Sequence, residues 1–245
     1  MGLTDPGTKD SAEAHARRVR EMFSLIARRY DLLNHLLSAN VDKRWRRLVA
    51  RRLKPLLAPG ARILDVACGT GDLSITLFEK TGAQVIGVDF CRPMLELAAR
   101  KNRELPFVEG DALQLPFRTG EFDAVTIGFG LRNLSSVEQG LAELRRVLKP
   151  HGWAAILEFS KPATPGFRAL VATYCTRLLP RIGGIISGSR SAYQYLPDSV
   201  SRFPDQETLA GLMGDAGFDS VRFENLTGGI AALHLGRRAP DEATN

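Results

Sequence analysis

The sequence has few residues of the kinds that build disulfide frameworks or metal sites. Its 245 residues include three cysteines, Cys68, Cys91 and Cys175, which lie far apart and form no CxxC pair. An odd and scattered set of cysteines argues against both a disulfide framework and a zinc site. The four histidines are equally scattered. We therefore expect no metal in this protein.

Long apolar runs are also missing. No run of eighteen or more apolar residues is present, and residues 1–20 contain no apolar core of the kind that a secretory signal needs. The composition, with 44% hydrophobic and 24% charged residues, is ordinary for a soluble globular protein. We therefore expect a cytoplasmic protein with one domain over residues 13–237, between a disordered tail at 1–12 and a short tail at 238–245.

What is present is an alternation of apolar runs and amphipathic segments. After helices predicted over residues 13–54, five strands are predicted in "ARILDVA", "QVIGVDF", "LPFVEGDA", "FDAVTIGFG" and "WAAILEFS", with helical segments between them. "DSVRFENL" and "IAALHLGRR" then read as an antiparallel hairpin. This order predicts an α/β, Rossmann-like fold with a mostly parallel seven-stranded sheet.

Residues 161–200 interrupt this alternation with an apolar, basic and tyrosine-bearing insertion. A long connection inside a compact domain is usually functional, so we predict a lid or a substrate-side wall. Its tyrosines are Tyr174, Tyr193 and Tyr195. Each of them could contact a substrate or simply pack in the domain.

A glycine turn follows the first predicted strand. Gly69 and Gly71 lack side chains, so a ligand can approach the backbone closely at the start of the next helix. Asp89 ends the second strand, 18 residues after Gly71, where a carboxylate can accept hydrogen bonds from ribose hydroxyls. This arrangement serves both NAD(P) and S-adenosylmethionine, so by itself it leaves the ligand open.

Three details favour the sulfonium cofactor. Ser74 stands where the NAD fingerprint has a third glycine or alanine. Asp65 lies inside the first strand, and its negative charge suits a cationic ligand. Asp111, after the third strand, is placed to accept the adenine amino group, with Ala112 beside the ring. The alternative for Asp111 is a simple turn residue or helix cap.

Several longer stretches resemble a known family. "LDVACGTGD", "VIGVDF", "EGDALQLPF" and "FDAVTIGFGLRN" are similar to successive motifs of class I S-adenosylmethionine-dependent methyltransferases. "YDLLNHLLSANVDKRWRR", "LEFSKP", "AYQYLPDSVSRFPDQETL" and "NLTGGIAALHLG" are narrower and resemble the ubiquinone/menaquinone biosynthesis C-methyltransferase family. The similarity runs from about residue 20 to residue 237.

The resemblance implies a class I methyltransferase fold and S-adenosylmethionine as cofactor. It implies cofactor contacts at Thr70, at Asp89, at the Asp111–Ala112 pair and, through backbone alone, at Gly128, where some relatives have a serine. The implied reaction is C-methylation of a 2-polyprenyl-1,4-quinol. The first choice is demethylmenaquinol to menaquinol, and the alternative is the benzoquinol intermediate of ubiquinone biosynthesis.

Arg132 and Asn133, just past the fourth strand, are our candidates for the catalytic residues. Ionising a quinol hydroxyl makes the neighbouring ring carbon nucleophilic, and an arginine stabilises the resulting oxyanion. The alternative is an arginine that pairs with a carboxylate in a loop. Tyr30, Asp31 and Asn34 could close over the cofactor from the N-terminal helices.

Basic charge is concentrated in two regions. Residues 1–60 hold 13 Lys and Arg against 6 Asp and Glu, and residues 161–190 hold five basic residues and no acid. Solvated surface, nucleic acid and anionic lipid would all fit this distribution. Because a prenylated quinol lives in the bilayer, we expect peripheral contact with an anionic membrane at its inner face. No nucleic-acid partner is expected, an NAD-linked oxidoreductase is a weaker alternative, and a homo-oligomer is left open.

Overall fold

The computed structural model describes residues 14, 16–27, 31, 38, 40–162, 164, 166 and 190–240, and only the backbone of residues 190–194 and 196. The predicted tail at 1–12 and most of the insertion at 161–200 therefore lie outside the described residues. Those two predictions are not tested by the described residues.

A seven-stranded sheet forms the centre of the domain, in the order β3-β2-β1-β4-β5-β7-β6. Neighbouring strands from β3 to β5 pair in parallel, whereas β7 runs antiparallel to both β5 and β6. The predicted Rossmann-like fold with its C-terminal hairpin is confirmed. The strands are β1 (Arg62–Val66), β2 (Gln84–Asp89), β3 (Phe107–Glu109), β4 (Phe122–Gly128), β5 (Leu148–Phe159), β6 (Phe218–Leu226) and β7 (Ala231–Arg238).

The helices pack on both faces of the sheet. Helix α1 is described over residues 16–27. The others are α2 (Val41–Leu53), α3 (Asp72–Thr81), α4 (Arg92–Lys101), α5 (Val137–Val147), α6 (Arg190–Arg202) and α7 (Gln206–Asp215), with 3-10 turns at Lys54–Leu56, Leu131–Asn133 and Thr227–Gly229. No helix among these described segments is long and apolar enough to cross a membrane.

Local sequence explains most helix ends. Helix α2 stops before Pro55, and Pro93 lies in the first turn of α4, where its missing N–H costs no hydrogen bond. The side chain of Ser136 caps α5 by accepting from the Gln139 amide. Helix α7 begins at Gln206 because Asp205 is its N-cap, with a side chain that accepts from the Thr208 amide.

Alternation along each strand divides the core into two layers. In β1, Ile63 packs with the layer that contains Trp45 and Leu77, whereas Leu64 packs with the layer that contains Leu141. All of these side chains are buried, and complete burial of a leucine or isoleucine contributes roughly 1.5–3 kcal/mol. The two apolar layers hold the parallel strands in one register and so bring their carboxyl ends to a common edge.

Two strands differ from their predicted extents. Strand β3 is only three residues long, since the chain turns at Asp111, which pairs with Gln114 as an isolated bridge. Strand β5 begins at Leu148, five residues before the predicted strand, and so includes a turn around His151, whose φ is 64°. The ladder between β4 and β5 shifts register there, so the turn is kept as an irregularity within a longer strand.

Candidate active site

The carboxyl ends of β1, β2, β4 and β5 lie at one edge of the sheet because these strands are parallel. The strand order reverses direction between β1 and β4, since β2 and β3 extend to one side and β5 to the other. In an open α/β sheet, ligands bind in the crevice at such a switch point. Two groups of residues meet at this edge, one after β1 and one after β4.

The first group is the glycine loop, residues 67–71. Gly69 and Gly71 have φ of 55° and 80°, values that glycine adopts without strain. A Cβ at Gly71 would lie 3.0 Å from both the Ala98 Cβ and the Phe107 ring, whereas one at Gly69 would meet nothing within 4 Å. Gly71 is therefore required by packing. The space beside Gly69 is open to a ligand.

Asp89 joins the end of β2 to the glycine loop. Its Oδ2 accepts from the Gly69 amide at 2.8 Å, and its Oδ1 accepts from the Cys91 amide at 2.8 Å. Burial raises the pKa of this carboxyl to about 6, although these amides partly oppose the shift. Each carboxylate oxygen can accept a second hydrogen bond, so hydroxyl donors on a ligand would stabilise the ionised form.

Asp65 lies within the sheet and is fully buried. Its carboxylate accepts from the Ser74 hydroxyl at 2.6 Å and from the Thr126 hydroxyl at 2.7 Å. Burial raises its pKa to about 6. In the sequence, Ser74 was noted only because it differs from the NAD fingerprint. In the structure, its hydrogen bond to Asp65 connects α3 to β1. Both oxygens of Asp65 therefore already accept from protein hydroxyls, and its contact with a cofactor remains a prediction.

Helix α1 covers the end of β2. Phe23 and Ala27 pack against Cys91 and Met94, directly after Asp89. The Ser24 hydroxyl lies 3.4 Å from the Cys91 sulfur. The N-terminal helix predicted from apolar spacing therefore forms one wall beside the glycine loop.

A lysine network (Asp31, Thr70, Asp72 and Lys101) holds the N-terminal segment to the glycine loop. The Lys101 ammonium lies 2.6 Å from a carboxylate oxygen of both Asp31 and Asp72, and it donates to the Thr70 hydroxyl at 3.0 Å. Thr70 in turn donates to Asp31 at 2.5 Å. Asp31 thus contacts the glycine loop through Thr70, and its closure over a cofactor remains a prediction. Tyr30 and Asn34 lie outside the described residues.

The remaining predicted cofactor residues flank this region. Asp111 is exposed, and its Oδ1 accepts from the Leu113 amide, which is the turn geometry weighed as its alternative. Ala112 is buried. A Cβ at Gly128, the last residue of β4, would come within 3.0 Å of Leu73. Their contacts with a cofactor remain predictions.

The second group is the arginine cluster: Arg132, Asn133, Glu158 and Tyr195. The Arg132 Nη1 donates to Glu158 Oε1 at 2.7 Å and to the Phe129 carbonyl at 2.5 Å. The side chains of Arg132 and Glu158 are only 6% and 1% exposed. Burial raises the pKa of Glu158, and Arg132 opposes the shift. Arg132 thus pairs with a carboxylate, which was the alternative to a catalytic role. The pair is not in a solvent-exposed loop, however, but is buried at the edge of the sheet.

Sequence reasoning missed Glu158. The signal was available, because Glu158 is a single acid within the apolar run "WAAILEF", much as Asp65 is within "RILDV". A charged residue is almost never fully buried unless it is paired. A lone acid in a buried strand therefore predicts a nearby partner, although it does not say which one.

Tyr195 reaches the cluster from helix α6. Its hydroxyl donates to the Asn133 Oδ1 at 3.1 Å, and burial raises its pKa. Of the three tyrosines predicted for the substrate side, the structure places this one at the site. Tyr174 and the side chain of Tyr193 lie outside the described residues.

Aromatic rings line the same end of the sheet. The Arg132 guanidinium lies 5.2 Å from the Phe159 ring centre. Phe159 packs on Phe129 at 4.7 Å, and Phe129 packs on Trp45 at 5.9 Å. Phe129 has a φ of 57°, a left-handed conformation that is uncommon for a bulky residue and that recurs at functional sites.

The two groups are in contact through small residues. A Cβ added at Gly130 would lie 2.6 Å from the Ala67 Cβ, so only glycine lets the loop after β4 approach the glycine loop this closely. The arrangement can hold a hydroxyl-bearing or cationic ligand at one side and an oxyanion at the other. Within the described ranges, no three His, Cys, Asp or Glu side chains converge to hold a metal ion.

Comparisons of the sequence with a family model and with curated proteins all identify the same family of methyltransferases. The model of the ubiE/COQ5 methyltransferase family matches residues 11–238. The chain is 53% identical over 222 residues to the demethylmenaquinone methyltransferase of Thermus thermophilus, covering 89% of this chain and 100% of that protein. It is 44% identical over 229 residues to the ubiquinone/menaquinone biosynthesis C-methyltransferase UbiE of Geotalea uraniireducens, covering 90% and 96%.

Solved structures agree on the fold. The [4+2]-cyclase SpnF aligns with a TM-score of 0.67 and 19% identity, covering 91% of this chain and 96% of that chain. A SAM-dependent methyltransferase of Thermotoga maritima, described as a possible histamine N-methyltransferase, aligns with a TM-score of 0.62 and 20% identity, covering 89% and 98%. At such identities the similarity supports the class I methyltransferase fold alone.

Proposed function

The chain belongs to the ubiE/COQ5 methyltransferase family, and on that premise we propose that it transfers a methyl group from S-adenosylmethionine to a ring carbon of a 2-polyprenyl-1,4-quinol. The preferred acceptor is demethylmenaquinol, the substrate class in the name of the relative with 53% identity. Membership of a methyltransferase family also removes the case for an NAD-linked oxidoreductase. The proposal rests on the contact between the glycine loop and the arginine cluster.

The glycine loop fits this cofactor. Open space beside Gly69 admits a ligand to the backbone, and the buried Asp89 carboxylate gains stability from ribose hydroxyl donors. The charge of Asp65 favours a cation nearby. When bound, S-adenosylmethionine supplies an electrophilic methyl group on a positively charged sulfur. The residues proposed to hold it are Asp65, Gly69, Thr70, Gly71, Asp89, Asp111, Ala112 and Gly128.

The arginine cluster fits a quinol that loses a hydroxyl proton. A guanidinium stays protonated at all accessible pH values, so Arg132 stabilises an ionised hydroxyl and does not act as its base. Ionisation raises the electron density on the adjacent ring carbon, which is otherwise a poor nucleophile. As that carbon gains the methyl group, the bond from sulfur to methyl would break, and the ring proton at the same carbon would then be lost to water to restore the aromatic quinol. Asn133 and Tyr195, joined at 3.1 Å, supply further polar groups beside Arg132. The Phe129 and Phe159 rings offer apolar surface to an aromatic acceptor.

The single observation that carries the proposal is the close approach at Gly130. Because a Cβ there would lie 2.6 Å from Ala67, the loop that bears Arg132 lies directly against the glycine loop. A donor at the glycine loop and an acceptor oxygen at Arg132 would therefore occupy neighbouring positions. Alignment of two reactants is the largest contribution such a site can make when little other chemistry is needed.

The test is an assay of the purified protein with labelled S-adenosylmethionine and two acceptors, demethylmenaquinol and the demethylated polyprenyl benzoquinol, each in reduced and oxidised form. We expect transfer to the reduced naphthoquinol and none to either quinone. Transfer to the benzoquinol as well would extend the activity to ubiquinone biosynthesis, as the name of the Geotalea uraniireducens relative suggests. No methylation of either quinol would overturn the proposal.

We also propose that the protein works at the inner face of an anionic membrane, from the cytoplasmic side. Helix α1 supports this, since Leu25 is 81% exposed on it and Arg17, Arg18 and Arg20 are exposed as well. Arginines attract anionic headgroups, and an exposed leucine gains by entering the headgroup region. A polyprenyl tail must also leave the bilayer near the site.

Vesicle flotation tests this contact. The protein is mixed with vesicles of phosphatidylglycerol and phosphatidylcholine, or of phosphatidylcholine alone, and we expect co-flotation only with the first. The combined variant Arg17→Gln, Arg18→Gln and Leu25→Ser is expected to lose most of it. The control, Arg118→Gln with Arg222→Gln, removes two exposed arginines elsewhere. Equal flotation of the two variants would contradict a role for α1.

A further inference from the structure

Glu158 is a buried charge that the proposed reaction does not use. It lies near the end of β5 beside Leu157, and its side chain is 1% exposed. Taking a carboxylate out of water is costly unless it is paired and hydrogen-bonded. A strand that keeps one in its apolar interior is therefore expected to use it for something other than stability.

Both oxygens of Glu158 are engaged by the protein. Oε1 accepts from Arg132 Nη1 at 2.7 Å and from the Phe159 amide at 2.8 Å, and Oε2 lies 3.3 Å from the Arg132 amide. The carboxylate therefore holds Arg132 at two points, through the guanidinium and through the backbone of the 3-10 turn. Because it is enclosed, Glu158 has no surface with which to touch a substrate, and it must act through Arg132.

One buried donor of Arg132 has no partner among the described residues. Its Nη1 serves both Glu158 and the Phe129 carbonyl, while its buried Nε has no hydrogen-bond acceptor in the described part of the chain. A buried N–H of a charged group without an acceptor is costly and calls for an explanation. An acceptor that arrives with the substrate would satisfy it.

We propose that Glu158 is a positioning residue that fixes Arg132 at two points, its guanidinium and its backbone amide, so that the Arg132 Nε–H stays available to the ionised hydroxyl oxygen of the acceptor. This inference rests on the proposed function and adds a residue to it. The buried pair carries no net charge, so Glu158 also moderates how strongly Arg132 favours the ionised hydroxyl. Geometry and charge balance at the acceptor oxygen thus depend on the same carboxylate.

A double-mutant cycle separates positioning from a structural role. The variants are Arg132→Gln, Glu158→Gln and the two together, with kcat and KM for the quinol and the cofactor Kd measured for each. We expect about a 100- to 1,000-fold loss of kcat in Arg132→Gln and about a 10- to 100-fold loss in Glu158→Gln. The double variant should be no slower than Arg132→Gln, because Glu158 then has nothing to hold. An equal loss from Glu158→Gln in both backgrounds would overturn the proposal, as would an unchanged kcat.

An alternative variant and a control cycle distinguish a loss of activity from a loss of folding. If removal of the carboxylate alone leaves Arg132 unpaired and unfolds the protein, the cycle is run with Glu158→Asp, which keeps the charge and shortens the side chain. The control cycle uses Arg52 and Glu224, an exposed ion pair at 2.7 Å. Its single and double Gln variants are expected to keep the wild-type kcat.

The pH profile supplies a readout that a structural role would not move. Glu158→Gln leaves one uncompensated positive charge beside the acceptor hydroxyl, which favours its ionised form. The acid limb of the kcat profile should therefore shift to lower pH in Glu158→Gln and stay in place in Glu158→Asp. Identical acid limbs in all three proteins would count against this charge balance.

A spectroscopic measurement keeps this inference separate from the proposed reaction. The Nε–H signal of Arg132 is assigned in nitrogen-15 spectra by its loss in Arg132→Gln. We expect it to exchange slowly with solvent in the wild type and faster in Glu158→Gln. If the wild type methylates no quinol, the proposed function fails, and this signal still tests positioning. Unchanged exchange in Glu158→Gln would overturn it.

Discussion

The glycine loop and the arginine cluster lie at the same edge of the sheet, and each depends on a buried carboxylate with a raised pKa. The two carboxylates differ in the groups that donate hydrogen bonds to them. Asp89 accepts from backbone amides, which carry no charge, whereas Glu158 pairs with a guanidinium. Asp89 can therefore still gain from a hydroxyl-bearing or cationic ligand, while Glu158 is already paired and leaves donors on Arg132. One region is suited to binding and the other to stabilising new negative charge.

The largest difference should come from Arg132→Gln. We expect kcat for the quinol to fall about 100- to 1,000-fold, since a donor aimed at developing negative charge is lost. The cofactor Kd should stay within about twofold, because this side chain belongs to the arginine cluster alone. Steady-state kinetics and calorimetry check both quantities, with Arg118→Gln as the control. A comparable loss of cofactor affinity would mean that Arg132 also contributes to cofactor binding, contrary to the proposed separation of the two regions.

The next largest effect concerns Asp65 and the pH dependence of stability. Its pKa is about 6 in the folded protein against 3.8 in the unfolded chain, so the folded state binds more protons between these values. Stability from this group is therefore greatest at low pH, is lost as the pH rises through that window, and is constant above about 6. Two pKa units correspond to roughly 3 kcal/mol.

Asp65→Asn removes this dependence. Relative to the wild type, its free energy of unfolding should improve by up to about 3 kcal/mol between pH 4 and pH 7, measured by denaturant titration at several pH values. Asp198→Asn, an exposed carboxyl, serves as the control. A difference between Asp65→Asn and the wild type that does not vary with pH would contradict the burial argument.

Asp89→Asn should weaken cofactor binding more than it lowers kcat. The amide loses a charged acceptor and turns an NH₂ group toward an amide donor, at a cost of about 1.5–3 kcal/mol. We expect the cofactor Kd to rise about 10- to 100-fold, with kcat at saturating cofactor changed only a few-fold. Calorimetry measures this against Glu96→Gln, an exposed acid on α4. Unchanged affinity would show that Asp89 serves only the loop.

The smallest effect is expected at the lysine network. Lys101 is 30% exposed, and a partly exposed ion pair contributes about 0.2–1 kcal/mol. Lys101→Met should therefore weaken cofactor binding only two- to fivefold, and less at high salt, by loosening Asp31 from the glycine loop. Lys80→Met on α3 is the control. A larger effect that salt does not change would point to direct contact between Lys101 and the cofactor.

Sequence reasoning worked best where the chemistry is local. Gly69, Gly71 and Asp89 follow directly from a strand, a turn and the next strand, so their spacing predicts a shared site. Tyr195 was one of three tyrosines that the sequence could not rank, and only helix α6 brings it to Asn133, 62 positions away. The partner of Arg132 was equally hidden, since Glu158 lies 26 positions away on the neighbouring strand.

The sequence by itself determined the order of strands and helices, the glycine loop and the acids around it, because alternation, turn residues and caps act over a few positions. Tertiary structure alone decided which acid pairs with Arg132 and which tyrosine contacts Asn133. It alone also decided that the loop after β4 approaches the glycine loop where Gly130 meets Ala67. The reason is physical: contacts across a parallel sheet depend on register and strand order, which side chains distant in the chain set jointly by packing.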